Sequence, residues 1–492
     1  MISHTAIDGA SSSQFSETLS VHEIPTDALL PQLAVIMDPE SMKARLQDQL
    51  FDSPQERDRF RIRHCEITRA RLKPGSSCMV SYRLEIEDRT TRETGEQILC
   101  GRACAEGQSR SQWEKAQARS LVQPRFGRAL IYLPELEMIL WGFPNDRRMD
   151  TLPTLVDSDS FMSVILPKLL ASHLGNEWKV IGANRTLVHY IGEHRCMVRI
   201  EATVGHQGDD RQQNVTLFQK TYHDNKGEET SRVMHQLWQS EARRSGKLVI
   251  AQLVSYDSSL KTLWQLGFKG TSLGSWDIDS PEFLPFLEEA ACQLAALHNT
   301  SITCTRSRTL ADLVANLTPV MPDLIRCRPS CGPVLDPLVT RLSAQADRMP
   351  EEPRVTLHGD LHLGNVFVND GHVALIDLDS VRTGSPLVDL GSLIAGLHYL
   401  GIQRRRSAEG CHRLVEPFLR TYQANVSWAV HPQMLSWYVA APLLTRAYRC
   451  VRKLKPGRMD LIDDLVTRAQ QITCEAELIS PASECQVISK GV

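Results

Sequence analysis

Two stretches of the chain alternate apolar and polar residues with the two-residue rhythm of half-buried strands. In the first, EITRARL, a KPGSS turn, CMVSYRLEIE, a charged loop and EQILCGRACAEG follow one another from Glu66 to Gly107. In the second, NRTLVHY, an IGEHR turn, CMVRIEATV, a polar loop and NVTLFQKTY run from Asn184 to Tyr222. One offset relates them: Cys196 minus Cys78 and Lys220 minus Arg102 both give 118. This predicts a duplicated three-stranded meander. Each copy leads into helix-like polar sequence (108–121 and 228–245) and then an apolar strand closed by a polar turn, EMILWGFPND and KTLWQLGFKG.

The rhythm changes near residue 276. SPEFLPFLEEAACQLAALHNT, RTLADLVANL, VLDPLVTRLSAQADRM and MDLIDDLVTRAQQIT place apolar residues at helical spacing. A helix broken near Asp38-Pro39 is expected ahead of the first meander. The predicted order is β-rich, β-rich, then mainly helical with one short hairpin inside. Expected divisions are a flexible tail 1–20, an extra α+β domain 21–165, a β-rich lobe 166–275, a helical lobe 276–480 and a tail 481–492.

Composition narrows the function. Lys and Arg total 55 against 58 Asp and Glu, a net charge of −3, so there is no global basic field for a nucleic-acid backbone. No window has 18 uncharged apolar residues, so no spanning helix and no membrane partner are expected. The start, MISHTAIDGASSSQFSE, lacks the basic end and apolar run of a secretory signal. The 13 cysteines are scattered through apolar segments without zinc spacing; they read as small buried hydrophobes of a cytoplasmic protein.

The chemistry is concentrated in LHGDLHLGNVFVNDGHVALIDLDS, residues 357–380. VTL before the loop and NVFV after it are β-branched runs. NDG (369–371) is a hairpin turn, because Asn and Gly tolerate positive φ. The hairpin returns Asp377 beside Asn365, so Asp360, Asn365 and Asp377 gather at one end. Phosphoryl transfer needs such a cluster. Mg²⁺ takes a carboxylate and an amide oxygen while keeping water and triphosphate oxygens, and a separate carboxylate receives the acceptor's proton.

His358-Gly-Asp360-x-x-x-x-Asn365, followed by a hairpin and LIDLD, resembles the signature of the aminoglycoside phosphotransferase and choline kinase family. GSPLVDLGSLI (384–394) resembles its next segment, with Ser385 where Asp is common, and QLAALHNT (293–300) its L-A-x-L-H helix end. The resemblance implies a protein-kinase-like, two-lobed α+β fold using ATP and Mg²⁺. It makes Asp360 the catalytic base, Asn365 and Asp377 magnesium ligands, His358 a loop brace and Asp389 a structural carboxylate. Asp379 is an extra candidate ligand, and His298 and His362 read as structural.

Such a fold also needs a β-rich nucleotide lobe with a strand lysine on the phosphates. Lys220 is the candidate, with the turn GEHR covering the phosphates. Glu241 is the expected carboxylate partner, with Glu228 and Glu229 at the helix start as alternatives. The backbone around Leu266 is the expected adenine hinge. Upstream, Arg102 stands at the lysine position and no H-G-D loop follows. That region therefore reads as a degenerate lobe repeat for packing, homo-oligomer formation or capping of the substrate cleft. The expected function is ATP-dependent phosphorylation of a hydroxyl on a sugar, amino alcohol or antibiotic-like small molecule. The alternative is a catalytically weak nucleotide-binding scaffold. The run QRRRS (403–407) is basic, so no aminoglycoside specificity is expected.

Overall fold

The computed structural model describes residues 24–478 except Asp370, Ser407 and Pro456; both expected tails, and the middle residue of the NDG turn, lie outside the described residues. Two compact units emerge. The first comprises the chain up to His235, with Ala251–Phe268 and Val451–Met459; the second comprises Gln236–Ile250, Lys269–Cys450 and the chain from Asp460 on.

Both meanders lie in the first unit. Strands β1 (Phe60–Lys73), β2 (Ser77–Asp88), β3 (Thr94–Cys104), β4 (Leu130–Leu133) and β5 (Met138–Gly142) form a sheet in the order β1-β2-β3-β5-β4. Strands β6 (Trp178–Ile191), β7 (Arg195–His206), β8 (Gln212–Tyr222), β9 (Leu253–Asp257) and β10 (Thr262–Leu266) repeat that order as β6-β7-β8-β10-β9. The offset read in the sequence carries the bounds of the first three strands of one sheet onto the other. It also carries a register irregularity at Ile62/His64 onto one at Val180/Gly182.

Local chemistry sets these elements. Asp38 accepts from the N–H groups of Glu40 and Ser41 and Pro39 fills the first helical position, starting α1 (Pro39–Gln49) anew after the short helix Leu33–Ile36. Alternation buries Val80, Tyr82, Leu84 and Ile86 of β2 against Leu33, Ile36 and Met42. Each such large side chain contributes roughly 1.5–3 kcal/mol when removed from water. A second cluster buries Val198, Ile200, Leu217 and Trp264 of the later sheet together with Cys100 of β3. The upstream sheet therefore shares a core with its repeat.

The second unit is mainly helical. It contains α2 (Phe283–His298), α3 (Leu387–Gln403), α4 (Ala408–Gln423), α5 (Pro432–Lys453), whose last three residues fall in the first unit, and α6 (Leu461–Leu478). Two small sheets are set among them: β11 (Thr271–Ser272) with the hairpin β14 (Val366–Asn369) and β15 (His372–Leu375), and β12 (Ser307–Arg308), β16 (Arg382–Gly384) and β13 (Val355–Leu357). No described helix is long and apolar enough to cross a membrane.

Candidate active site

Strand β13 delivers the loop from the interior, with Val355, Thr356 and Leu357 all buried and His358 fully so. The backbone N–H of His358 donates to Oδ2 of Asp389 at 2.6 Å, and that of Gly359 to Oδ1 at 2.9 Å. His298 Nε2 lies 3.2 Å from the same Oδ2, and the other ring nitrogen is 2.7 Å from the Tyr422 hydroxyl. Asp389 sits in the first turn of α3, 1% exposed. Burial pushes its carboxyl up, but the His298 hydrogen bond, attraction to His298 and His358 and the Gly359 N–H outweigh this and hold it below the usual carboxylate range. An isolated carboxylate would not stay charged at such a depth. Asp389 thus ties the H-G-D loop to α2, α3 and α4.

Gly359 cannot be replaced without movement. It has φ +78°, and an added Cβ would lie 2.1 Å from the Ser380 carbonyl oxygen. The next residue, Asp360, is exposed. Its carbonyl accepts from Asn365 Nδ2 at 3.0 Å. Asn365 is 6% exposed, and its own carbonyl accepts from the Ile376 N–H at 3.0 Å. That bond continues the β14–β15 ladder, in which Val366 faces Leu375, and sets Asp377 immediately beyond. His358 Nε2 stands 2.8 Å from the Ile376 carbonyl, bracing the same junction.

Asp377 has φ 61° and ψ 54°, a left-handed conformation for a non-glycine residue that persists only where its surroundings impose it. Asp379, 3% exposed, lends its carbonyl to Arg306 at 2.7 Å. His362 accepts the Gly364 N–H on Nδ1 at 3.0 Å, which leaves Nε2 to carry the proton. Burial pushes His362 below its usual value; attraction to Asp360 and Asp377 opposes this, and Arg446 and His358 reinforce it. The loop side chains thus share one electrostatic environment.

Arg446, on α5, escaped the sequence reading. Burial and then Arg449 push its guanidinium down to about 10, while attraction to Asp360 works the other way. It donates to the Ser392 carbonyl at 3.2 Å and stands 5.6 Å from the centre of the Tyr399 ring. The signal was an arginine within the otherwise apolar run WYVAAPLLTRA.

In the first unit, Lys220 is 2% exposed on β8, opposite Met197 of β7 and Leu263 of β10. The Leu266 N–H donates to the Gln252 carbonyl and that of Gly267 to Thr216, both at 2.9 Å. These two donors are therefore already engaged. Glu229, early in the helix Lys226–Gln239, has a side chain only 12% exposed, and it pairs with Arg232 at 2.7 Å. Glu241, in the second unit, opens a four-residue helix with a side chain 81% exposed and paired to Arg244 at 3.2 Å.

The oxygen donors fit Mg²⁺. Asn365 spends its amide nitrogen on Asp360, so its Oδ1 is the end available to a cation. Among the described residues no three His, Cys, Asp or Glu side chains form a ready-made cage. An ion that keeps water and triphosphate oxygens needs only one carboxylate and one amide from the protein.

Residues 215–434, a little under half of the chain, match the phosphotransferase enzyme family, APH. That segment is similar to the APH phosphotransferases. The phosphotransferase segment spans β8, the H-G-D loop, the hairpin, α3 and α4. No curated protein matches the chain. Among solved structures, aminoglycoside phosphotransferase APH(3'')-Id from Streptomyces rimosus is 17% identical, covering 57% of this chain and 97% of its own, with a TM-score of 0.35. Aminoglycoside phosphotransferase APH(4)-Ia is 13% identical, covering 63% and 97%, with a TM-score of 0.39.

Proposed function

We propose that the protein is an ATP-dependent kinase that phosphorylates a hydroxyl group of a small molecule. One observation carries the reading: the H-G-D loop is locked to Asp389 and to the hairpin end, so that Asp360, Asn365 and Asp377 hold fixed backbone positions. Bound Mg²⁺ would neutralise charge on the transferring phosphoryl group. Asn365 Oδ1 and the Asp377 carboxylate are its assigned ligands. Asp360 orients the acceptor hydroxyl and receives its proton, while Lys220 meets the nucleotide phosphates.

Glu229 replaces Glu241 as the assigned partner of Lys220. A buried ammonium calls for a shielded carboxylate; Glu229 is shielded and Glu241 is not. The hinge role passes from the Leu266 N–H to the backbone after Gly267. We divide the chain into the upstream lobe (21–165), the nucleotide lobe (166–275) and the helical lobe (276–480), and read the upstream lobe as a degenerate copy of the nucleotide lobe. The described cysteines are all free thiols, which supports a cytoplasmic setting. An oligomer formed through the upstream lobe finds no support.

Calorimetric titration with ATP and Mg²⁺, followed by turnover across hydroxyl-bearing acceptors, tests the proposal. Magnesium-dependent binding and phosphate transfer support it; absence of both in the intact chain overturns it.

A further inference from the structure

The turns at the two β-meanders differ at one informative position. Upstream, the Ser76 N–H donates to the Lys73 carbonyl and Gly75 has φ +68°; downstream, the His194 N–H donates to the Ile191 carbonyl and Glu193 has φ 60°. Left-handed backbone is natural for glycine, and a residue with a side chain adopts it only against steric resistance. Glu193 adopts it with its side chain directed into protein, 8% exposed.

Its carboxylate is held on two sides by the upstream lobe, from Arg102 on β3 and from Arg147 beyond β5. Arg102 donates from Nε to Oε1 at 3.0 Å and from Nη2 to Oε2 at 2.5 Å. Arg147 donates from Nε to Oε1 at 2.8 Å and from Nη2 to Oε2 at 2.6 Å. Buried Asp146 completes the grip, accepting the Glu193 N–H at 2.8 Å and the Tyr190 hydroxyl at 2.7 Å. Gly192 closes the contact from beside it: a Cβ there would fall 2.0 Å from Cys100 Sγ on β3.

Arg102 occupies the register position of Lys220, opposite Met79 and Ile139 as Lys220 is opposite Met197 and Leu263. We infer that the upstream sheet is an internal clamp: its lysine-equivalent site takes the Glu193 carboxylate in place of a nucleotide phosphate and so fixes the turn that covers the phosphates on the other sheet. This rests on the assignment of Lys220 and its sheet to nucleotide binding. Glu193 is then a positioning residue, with no contact to the reacting atoms. Two bidentate guanidinium pairs on one carboxylate give directional restraint as well as attraction, which suits a turn that must stay in one place.

Two variants test the clamp in the full chain. Glu193→Gln keeps the shape and removes the charge; Glu193→Gly gives the turn the residue its upstream counterpart uses and relieves the backbone. In both, amides 191–195 should exchange with solvent at least about tenfold faster than in the wild type. The KM for ATP should rise about tenfold with kcat within about twofold. Unchanged exchange in both variants overturns the clamp. Faster exchange with an unchanged KM for ATP overturns the positioning role. If the wild type transfers no phosphate, the proposed function fails while the exchange comparison still decides the clamp.

Discussion

Nδ2 of Asn365 donates to the backbone carbonyl of Asp360 at 3.0 Å, so the assigned metal ligand also holds the assigned base in place. Asn365→Ala removes both at once and does not separate the two roles. Variants at Asp360 and Asp377 do.

Asp360→Asn keeps the backbone carbonyl that Asn365 uses and removes the proton acceptor. The expected result is a fall in kcat of about 10²–10⁴ with the KM for ATP within about threefold, measured by steady-state turnover on the best acceptor. Unchanged kcat would remove Asp360 from the role of base.

Asp377→Ala takes away the carboxylate at the hairpin end. Magnesium-dependent ATP affinity should drop at least about tenfold by calorimetry, while the magnesium-independent part stays put. Equal loss in EDTA and in Mg²⁺ would point to a folding defect instead, and a thermal melt of the same sample tells the two apart.

Gly359→Ala forces a methyl group to within 2.1 Å of the Ser380 carbonyl at a backbone angle that suits glycine. The loop must shift or the chain must lose stability, by about 2–4 kcal/mol. A lowered denaturation midpoint together with lost turnover is the expected outcome; wild-type values for both would contradict the packing described.

Acid should loosen the first unit through Glu193. Burial raises its carboxyl, but Arg147 and Arg102 dominate and depress it from the ordinary 4.5 to about 2. A depressed folded value means that the stabilisation is complete above pH 4.5 and lost as pH falls towards about 2. It amounts to about 3 kcal/mol by linkage. Unfolding free energies followed across that window should decline less steeply in Glu193→Gln than in the wild type.

Much of this was legible in the sequence because it is local. The hairpin followed from β-branched runs around a turn, and the repeat from one constant offset. The H-G-D spacing pointed to Asp360, Asn365 and Asp377 before any coordinates. The Asp389 bracket was legible as a carboxylate but not as the meeting point of His298 and two loop amides, because those partners are 91, 31 and 30 residues distant. Glu241 was chosen on helical reach, which says nothing about burial; the structure turns it to solvent and shields Glu229 instead. Arg446 stayed hidden because its burial and its bond to the Ser392 carbonyl are tertiary. The Arg102–Glu193 pair joins two copies that alignment by offset treats as parallel, and no periodicity reveals a contact between them.

The turn at Glu193 also makes each sheet depend on a residue of the other. Replacing Arg102 by lysine would exchange a two-pronged grip for a single point charge, and placing glycine at residue 193 would leave Arg102 and Arg147 without the carboxylate they share. Either change taken alone loosens the tie between the two sheets. The two sheets are thereby unequal: one keeps a lysine at this register position, and the other spends an arginine on its neighbour's turn.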